Sequence, residues 1–163
     1  MRSFTPFAVA IIGCAAAYNI DNEIYGNESA PYTVITHDGQ FETRDYNSLV
    51  FVETSDSDQA FNQLFGYISG ENESEMKIPM TKPVYNYWNE SNTQWIMAFV
   101  MPAALTIDEV PQPDDITVDV KLTGEARYAT YQYSGCTTKA MEDEGLENLK
   151  EWLATNSIAY DHD

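Results

Sequence analysis

One segment in the first half of the chain has the apolar spacing of an amphipathic helix. Its apolar residues recur at positions i, i+3, i+4 and i+7, and they are Phe61, Leu64, Phe65 and Ile68. Ser55-Asp56-Ser57 offers N-cap oxygens before the segment, and Gly70 follows it at the position of a C-cap glycine. A single helix of this length is marginal in water, so its apolar face must pack against a sheet. This requirement constrains the fold more than any other feature of the sequence.

Segments with strand patterns precede this helix. Asp38-Gly39 is a tight-turn signal between two segments that are rich in β-branched and aromatic residues, and Asn47-Ser48 turns the chain again. The pattern predicts a three-stranded meander, with strands at residues 32–38, 41–46 and 49–53.

More strand patterns follow the helix. Residues 78–87 are extended despite two prolines, as in an edge strand, whereas residues 95–101 are apolar on both faces, as in a central strand. Residues 116–122 alternate between apolar and polar side chains, the period of a half-buried strand. Thr123-Gly124 then turns the chain into a further strand at residues 126–133.

A second amphipathic helix is predicted from Thr138 to Asn156. Its apolar face carries Leu146, Leu149, Trp152 and Leu153. Strands and a helix occur in the first half of the chain and again in the second, with the proline-rich segment 102–115 between them. This order predicts an α+β domain of two similar halves around one core.

The first residues of the chain have the features of a secretory signal. Arg2 precedes the apolar run 7–13, which is too short to span a bilayer, and residues 15–17 are alanines suited to cleavage. A bacterial lipoprotein signal is the alternative, because residues 11–14 loosely match a lipid-attachment box. We expect a signal peptide at 1–17, a polar lead-in at 18–31 and a folded domain at 32–163 of a secreted or lumenal protein without a membrane span.

Acidic residues dominate the charge of the chain. The 26 aspartates and glutamates exceed the 8 lysines and arginines, and the formal net charge is -18. This field repels nucleic acids and anionic lipids, and it favours a soluble monomer. It also repels free carboxylates, so a carboxylate-bearing ligand requires lysines near its site.

The cysteines and three asparagine triplets bear on processing. Once residues 1–17 are removed, Cys136 is the one cysteine left, which excludes an intramolecular disulfide. Asn-Glu-Ser occurs at Asn27, Asn72 and Asn89, and each triplet is a glycosylation acceptor if the chain enters a eukaryotic secretory pathway. We therefore expect an acidic glycoprotein whose fold rests on its core.

Six short motifs resemble the SOUL haem-binding family in their order and spacing. They span about Tyr32 to Tyr160, and the strongest match is Lys77–Val84. The other five motifs are Phe41–Tyr46, Tyr67–Asn72, Phe99–Pro102, Pro111–Pro113 and Tyr133–Gly135. Any one of them alone is unspecific, and it is their succession that makes the resemblance specific.

The resemblance implies a distorted antiparallel β-barrel-like sheet with two flanking helices, built from two pseudo-repeated halves. It also implies a hydrophobic cleft beside the first helix that accepts a tetrapyrrole. The chain ends soon after Tyr160, before the closing strands of the family. Two alternatives follow: either the barrel is more open here, or the second half is truncated.

Two departures from the family pattern concern the ligand. One branch of the family has a histidine, proposed as the axial haem ligand, at the position of Asp45, and another has a pocket lysine at the position of Gly66. Neither role transfers to this chain. His37, late in the first predicted strand, is the remaining candidate for the metal, although a histidine beside a tight turn is ordinarily a surface residue.

The candidate ligand residues combine an apolar face with two lysines. Burial of about 300 Å² of apolar porphyrin surface at ~25 cal/mol/Å² gives ~7 kcal/mol before the cost of association, so an axial ligand is not required. Lys77 and Lys82 are candidates for the propionates, and the methionines are soft sulfurs that also suit core packing. The predicted cofactor-binding residues are Phe61, Leu64, Tyr67, Ile68, Lys77, Met80, Lys82 and Met97.

The sequence predicts a binding protein and not an enzyme. It contains no glycine-rich phosphate loop, nucleophile elbow, metal-spaced cysteine set or serine-histidine-acid grouping. We expect a secreted carrier or scavenger of haem or a related tetrapyrrole. The alternatives are a module for another hydrophobic ligand or a linear tetrapyrrole pigment, a tetrapyrrole-modifying enzyme with Asp45 or Glu42 as proton donor, and a purely structural role.

Overall fold

The computed structural model describes the backbone of residues 25–55, 58–89, 93–134 and 138–160, and the side chains of these residues from Glu28 onward. The predicted signal peptide and Cys136 lie outside the described residues. The elements run in the order β1 (Tyr25–Ser29), β2 (Tyr32–Asp38), β3 (Phe41–Tyr46), β4 (Val50–Thr54), α1 (Ala60–Ser69), β5 (Met80–Lys82), β6 (Val84–Trp88), β7 (Trp95–Val100), β8 (Val118–Leu122), β9 (Ala126–Tyr131) and α2 (Lys139–Thr155).

The described strands form three sheets. β1 and β5 make a parallel pair, β2, β3 and β9 make an antiparallel sheet in that order, and β6, β7, β4 and β8 make a second antiparallel sheet. The predicted α+β class, the antiparallel pairing and the two helices are confirmed. Within the described ranges no sheet closes into a barrel.

The described chain divides into two compact units, and neither is one half of the sequence. The α2 unit comprises residues 31–47 and the described part of 125–163, with β2, β3, β9 and α2. The α1 unit comprises the described part of 25–30 and 48–124, with the other strands and α1. Each unit packs one helix against antiparallel strands, α2 on β9 and α1 on β4 and β7.

The predicted meander is wrong at its third strand. β2 and β3 pair as expected, but β4 belongs to the other antiparallel sheet, where it lies between β7 and β8. The reason is its composition: Val50 and Val52 on one face and Phe51 on the other are all buried. A strand that is apolar on both faces requires a central position.

The predicted strand at residues 78–87 is two strands. Pro83 lacks an N–H group for the ladder and separates β5 from β6, and the Lys82–Pro83 peptide bond is cis. β6 is an edge strand as expected, and β7 is central with most of its residues buried. β5 pairs with β1, so part of the predicted polar lead-in is a strand.

In the second half of the chain, β8 begins later and β9 ends earlier than predicted. β8 begins at Val118, which leaves Ile116 outside the strand and 97% exposed. β9 ends at Tyr131, two residues short of the predicted bound. Both differences lie at the ends of elements, where local patterns are least informative.

Both helices end where expected, but the start differs from the prediction in α1. Gly70 caps α1 with φ 118°, a conformation that suits glycine. The predicted N-cap at residues 55–57 is wrong, because Gln59 is the N-cap of α1 and its side chain makes no capping bond. For α2 the prediction is confirmed, since Thr138 is the N-cap and its hydroxyl accepts the N–H of Met141 at 3.3 Å.

No helix in the described part of the chain has both the length and the apolar character needed to cross a bilayer.

Candidate functional site

Three of the eight predicted ligand residues lie in the core of the α1 unit. Leu64, Tyr67 and Ile68 are at most 1% exposed, and they pack together with residues of β4 and β7. The phenol of Tyr67 donates a hydrogen bond of 2.7 Å to the carbonyl of Pro111, and burial raises the pKa of this phenol to about 12. These side chains therefore present no surface to a ligand in this conformation, and core packing explains this part of the apolar face.

The first apolar residue of the helix lies at the surface instead. Phe61 is 44% exposed; its ring stacks on Phe65 with centroids 6.0 Å apart and meets the edge of Phe99 at 5.5 Å. Met80 and Met97 are half-buried and pack against the same core from outside. Phe61 and the two methionines are thus partly exposed apolar residues next to the buried core.

Two tryptophans extend this apolar region, and the sequence reading missed them. In the β6–β7 pair, Asn86 faces Met97 and Trp88 faces Trp95. Because side chains alternate along a strand, Trp95 and Trp88 lie on the same side of the sheet as Met97, the side on which α1 packs. Their rings form an edge-to-face pair at 5.6 Å, and Trp88 is 52% exposed.

We call this region the helix-side surface. It consists of the partly exposed residues Phe61, Phe65, Met80, Val84, Trp88, Trp95 and Met97. The alternation of Trp95, Met97 and Phe99 in the sequence is the signal that could have located it. That signal was hidden because residues 95–101 are apolar at every position and were expected to be covered on both faces.

The two lysines of the predicted site lie in the segment that links α1 to the sheet. Lys77 and Lys82 are exposed, and within the described ranges neither forms an ion pair or a side-chain hydrogen bond. The N–H of Ile78 bonds the carbonyl of Ile68 at 2.8 Å, which holds Lys77 near the end of α1. In a chain with 26 acidic residues, two such lysines near one apolar surface provide local positive charge.

His37 and the two acids considered for catalysis belong to the α2 unit. The side chain of His37 is 64% exposed, and its Nδ1 lies 2.8 Å from Glu42 Oε1. Burial raises the pKa of Glu42, but hydrogen bonds from Arg44 and His37 outweigh it, so the pKa lies below its usual range. Asp45 forms a two-point ion pair with Arg127, which raises the pKa of that guanidinium. Among the described residues no group of three or more His, Cys, Asp or Glu side chains could hold a metal ion.

The asparagine triplets differ in their structural settings. Asn72 is buried, and its amide donates hydrogen bonds to the carbonyls of Tyr67 at 2.9 Å and Met76 at 2.8 Å. Its carboxamide nitrogen is therefore inaccessible in the folded chain. Asn89 lies half-buried at the end of β6, and the side chain of Asn27 is outside the described residues.

Comparison with known proteins identifies relatives over most of the chain. Residues 27–163 match the family described as SOUL heme-binding protein. The human protein named Heme-binding protein 2 is 28% identical over 145 residues, which cover 81% of this chain and 70% of the relative. The mouse protein of the same name is 34% identical over 137 residues, which cover 76% of this chain and 66% of the relative. The match includes the motif series and both described units, and this chain belongs to the SOUL heme-binding protein family.

Proposed function

We propose that this protein is a secreted carrier or scavenger of haem or a related tetrapyrrole, bound on the helix-side surface. The observation that carries the proposal is the partial exposure of Phe61, Met97 and Trp88 on the side of the sheet where α1 packs. Single exposed apolar residues are common on soluble proteins, but several of them on one side of the same sheet point to a binding site. The signal features of residues 1–17 support secretion.

The residues of this region suit the chemistry of a haem, which is a flat apolar macrocycle with two propionates. Phe61, Met80 and Met97 would contact the macrocycle, and Lys77 and Lys82 would pair with the propionates. Contact area supplies most of the binding energy in this proposal, so His37 makes at most a minor contribution. The carboxylates of Glu42 and Asp45 are engaged by Arg44 and Arg127, which favours binding over tetrapyrrole modification.

Hemin titration of the purified full chain, followed at the Soret band, tests the proposal. We expect saturable binding, weakened at least about tenfold by Phe61→Glu or Met97→Glu, which place a charge in the apolar contact. Ile116→Glu is the matched control, because it makes the same kind of change at an exposed residue before β8, at the other edge of the sheet from β6. A flat titration at tens of micromolar, or equal losses in all three variants, would overturn the proposal.

The lysines are tested with two porphyrins. The double variant Lys77→Ala, Lys82→Ala should weaken hemin binding severalfold and leave the binding of a porphyrin without carboxylates unchanged. Lys139→Ala is the control, since this exposed lysine lies on α2 and pairs with Asp143. Equal effects on the binding of both porphyrins would contradict a role of the two lysines in propionate binding. The proposed apolar contact would then still stand.

A linear tetrapyrrole is the second candidate ligand. Asp45 stands where one branch of the family has its proposed axial histidine, and here it is engaged by Arg127. Biliverdin is the probe in the same titration. Binding of biliverdin at least about tenfold tighter than hemin would favour this candidate.

A further inference from the structure

The α2 unit contains a recess of about 490 Å³ between the C-terminal half of α2 and the β2–β3 turn. Three half-buried rings contribute to it: Phe41, Tyr131 and Trp152. Phe41 stacks on Trp152 with centroids 5.3 Å apart and planes at 4°, and Tyr131 tilts against Phe41 at 5.0 Å. The recess is therefore lined by a stack of aromatic rings.

A hydrogen bond fixes the Trp152 ring at one end of this stack. The indole N–H of Trp152 donates to Asp38 Oδ2 at 2.8 Å, which ties α2 to the end of β2. A ring held in place before a ligand arrives loses little conformational freedom on binding. The stack is thus a preorganised platform.

The charged groups described around the recess are negative. Asp38 and Glu151 supply carboxylates, and among the residues that the structure describes no lysine, arginine or histidine lines the recess. α2 ends at Thr155, so the negative end of its dipole lies here, without a basic residue in the last turn. Within the described ranges Glu151 makes no side-chain hydrogen bond, and the nearby Lys150 is paired with Glu147 at 3.0 Å.

Two of the amide side chains that line the recess are bonded to backbone carbonyls. Gln40 donates its amide to the carbonyl of Gln132 at 2.9 Å, and Asn156 donates its amide to the carbonyl of Trp152 at 2.9 Å. Both side chains therefore leave the carboxamide oxygen and a second N–H for a ligand. The two carboxylates and the ring faces favour a cation here, because both attract positive charge.

We propose that this recess is a binding site for an organic cation, either an ammonium or a guanidinium group. The ring faces would attract the charge, and Glu151 and Asp38 would pair with it. The group could belong to a free small amine or to a lysine or arginine side chain of another polypeptide, and the net charge of -18 favours the approach of either. This site lies in the α2 unit and does not depend on tetrapyrrole binding.

Titration of the ¹⁵N-labelled full chain tests the site through the indole N–H signal of Trp152, assigned with Trp152→Phe. The probes are butylammonium and N-acetyl-arginine amide, with N-acetyl-norleucine amide as the neutral control. We expect both cations to shift the signal saturably with millimolar dissociation constants. Added salt should weaken the binding of both cations. Glu151→Gln should weaken both at least about fivefold, and Glu144→Gln, an exposed acid on the same helix that does not line the recess, should change them less than about twofold.

The same titration separates the two sources of the cation. Tighter binding of a blocked arginine tripeptide than of butylammonium would assign the site to a polypeptide partner, and equal binding would assign it to small amines. The proposal fails if neither cation gives a saturable shift, if the neutral control shifts the signal equally, or if the two glutamate variants lose equal affinity.

Discussion

The phenol of Tyr67 on α1 donates a hydrogen bond of 2.7 Å to the backbone carbonyl of Pro111, and both residues are buried in the α1 unit. This bond ties the last half of α1 to the loop between β7 and β8. It satisfies a carbonyl that would otherwise be buried without a partner. Tyr67 thus stabilises the unit from within, although it belongs to a motif that resembles a ligand-binding family.

Tyr67→Phe should reduce stability and leave ligand affinity nearly unchanged. The variant keeps the ring but leaves the Pro111 carbonyl without its donor, which costs about 1–3 kcal/mol. Urea unfolding measures this loss, and hemin affinity of the folded variant should stay within about twofold of the wild type. A large loss of affinity at unchanged stability would place Tyr67 in the ligand contact instead.

The same phenol makes the protein sensitive to alkaline pH. Burial raises its pKa from 10.0 to about 12 in the folded state. Below pH 10 the phenol is neutral in both states, but between pH 10 and 12 the unfolded chain loses the proton first. Stability therefore falls as pH rises through this window, by about 3 kcal/mol for a shift of this size. Urea unfolding of wild type and Tyr67→Phe should show a steeper decline for the wild type, and parallel curves would contradict the assignment.

Substitutions at two positions on one face of α1 should have opposite effects on stability and on hemin affinity. Leu64 is fully buried, so Leu64→Ala should cost about 2–5 kcal/mol and leave hemin affinity of the folded protein nearly unchanged. Phe61 is 44% exposed, so Phe61→Ala should cost less stability and weaken hemin binding severalfold. Urea unfolding and Soret titration measure the two effects. If Leu64→Ala instead weakens hemin binding and Phe61→Ala causes the larger loss of stability, α1 opens to bind its ligand.

This contrast shows how far the sequence alone could predict the site. Helical spacing places Phe61 and Leu64 on one face, and that face does pack on a sheet as expected. Spacing does not tell which end of the face the sheet covers, because the answer depends on the position of β6 and β7 relative to α1. The same limit explains β4, whose partners β7 and β8 lie far along the chain. Local patterns therefore predicted the class and most elements, whereas the neighbours of each strand required the structure.

The ion pair between the buried Arg44 and Glu42 predicts that the protein loses stability in acid. It is 4% exposed, its Nε donates to Glu42 Oε2 at 2.7 Å, and its guanidinium lies 4.3 Å from the ring centroid of Tyr32. Glu42→Gln would leave this buried charge without its carboxylate, at a cost of about 3 kcal/mol. The lowered pKa of Glu42 means that its contribution is present above the unfolded-state pKa and is lost as pH falls through the folded-state value.

The measurement is urea unfolding from neutral pH to about pH 3. Wild type should lose stability more steeply than Glu42→Gln as the pH falls, because the variant has no carboxylate to protonate. Glu144→Gln on α2 is the matched control, since Glu144 is exposed. Equal acid slopes for Glu42→Gln and wild type would show that the Arg44 pair does not govern the acid limb.

Asn72 is expected to act as a structural residue and not as a glycan acceptor. Its amide donates to the carbonyls of Tyr67 and Met76, and its oxygen accepts the N–H groups of Ser74 at 3.3 Å and Met76 at 3.0 Å. Asn72→Ala removes all four contacts and should cost at least about 2 kcal/mol. Ser74→Ala destroys the same Asn-Glu-Ser triplet but keeps these contacts, so it should change stability by less than about 0.5 kcal/mol. Urea unfolding of the two variants separates the roles, and a glycan found on Asn72 of folded protein from a eukaryotic secretory host would contradict the buried geometry.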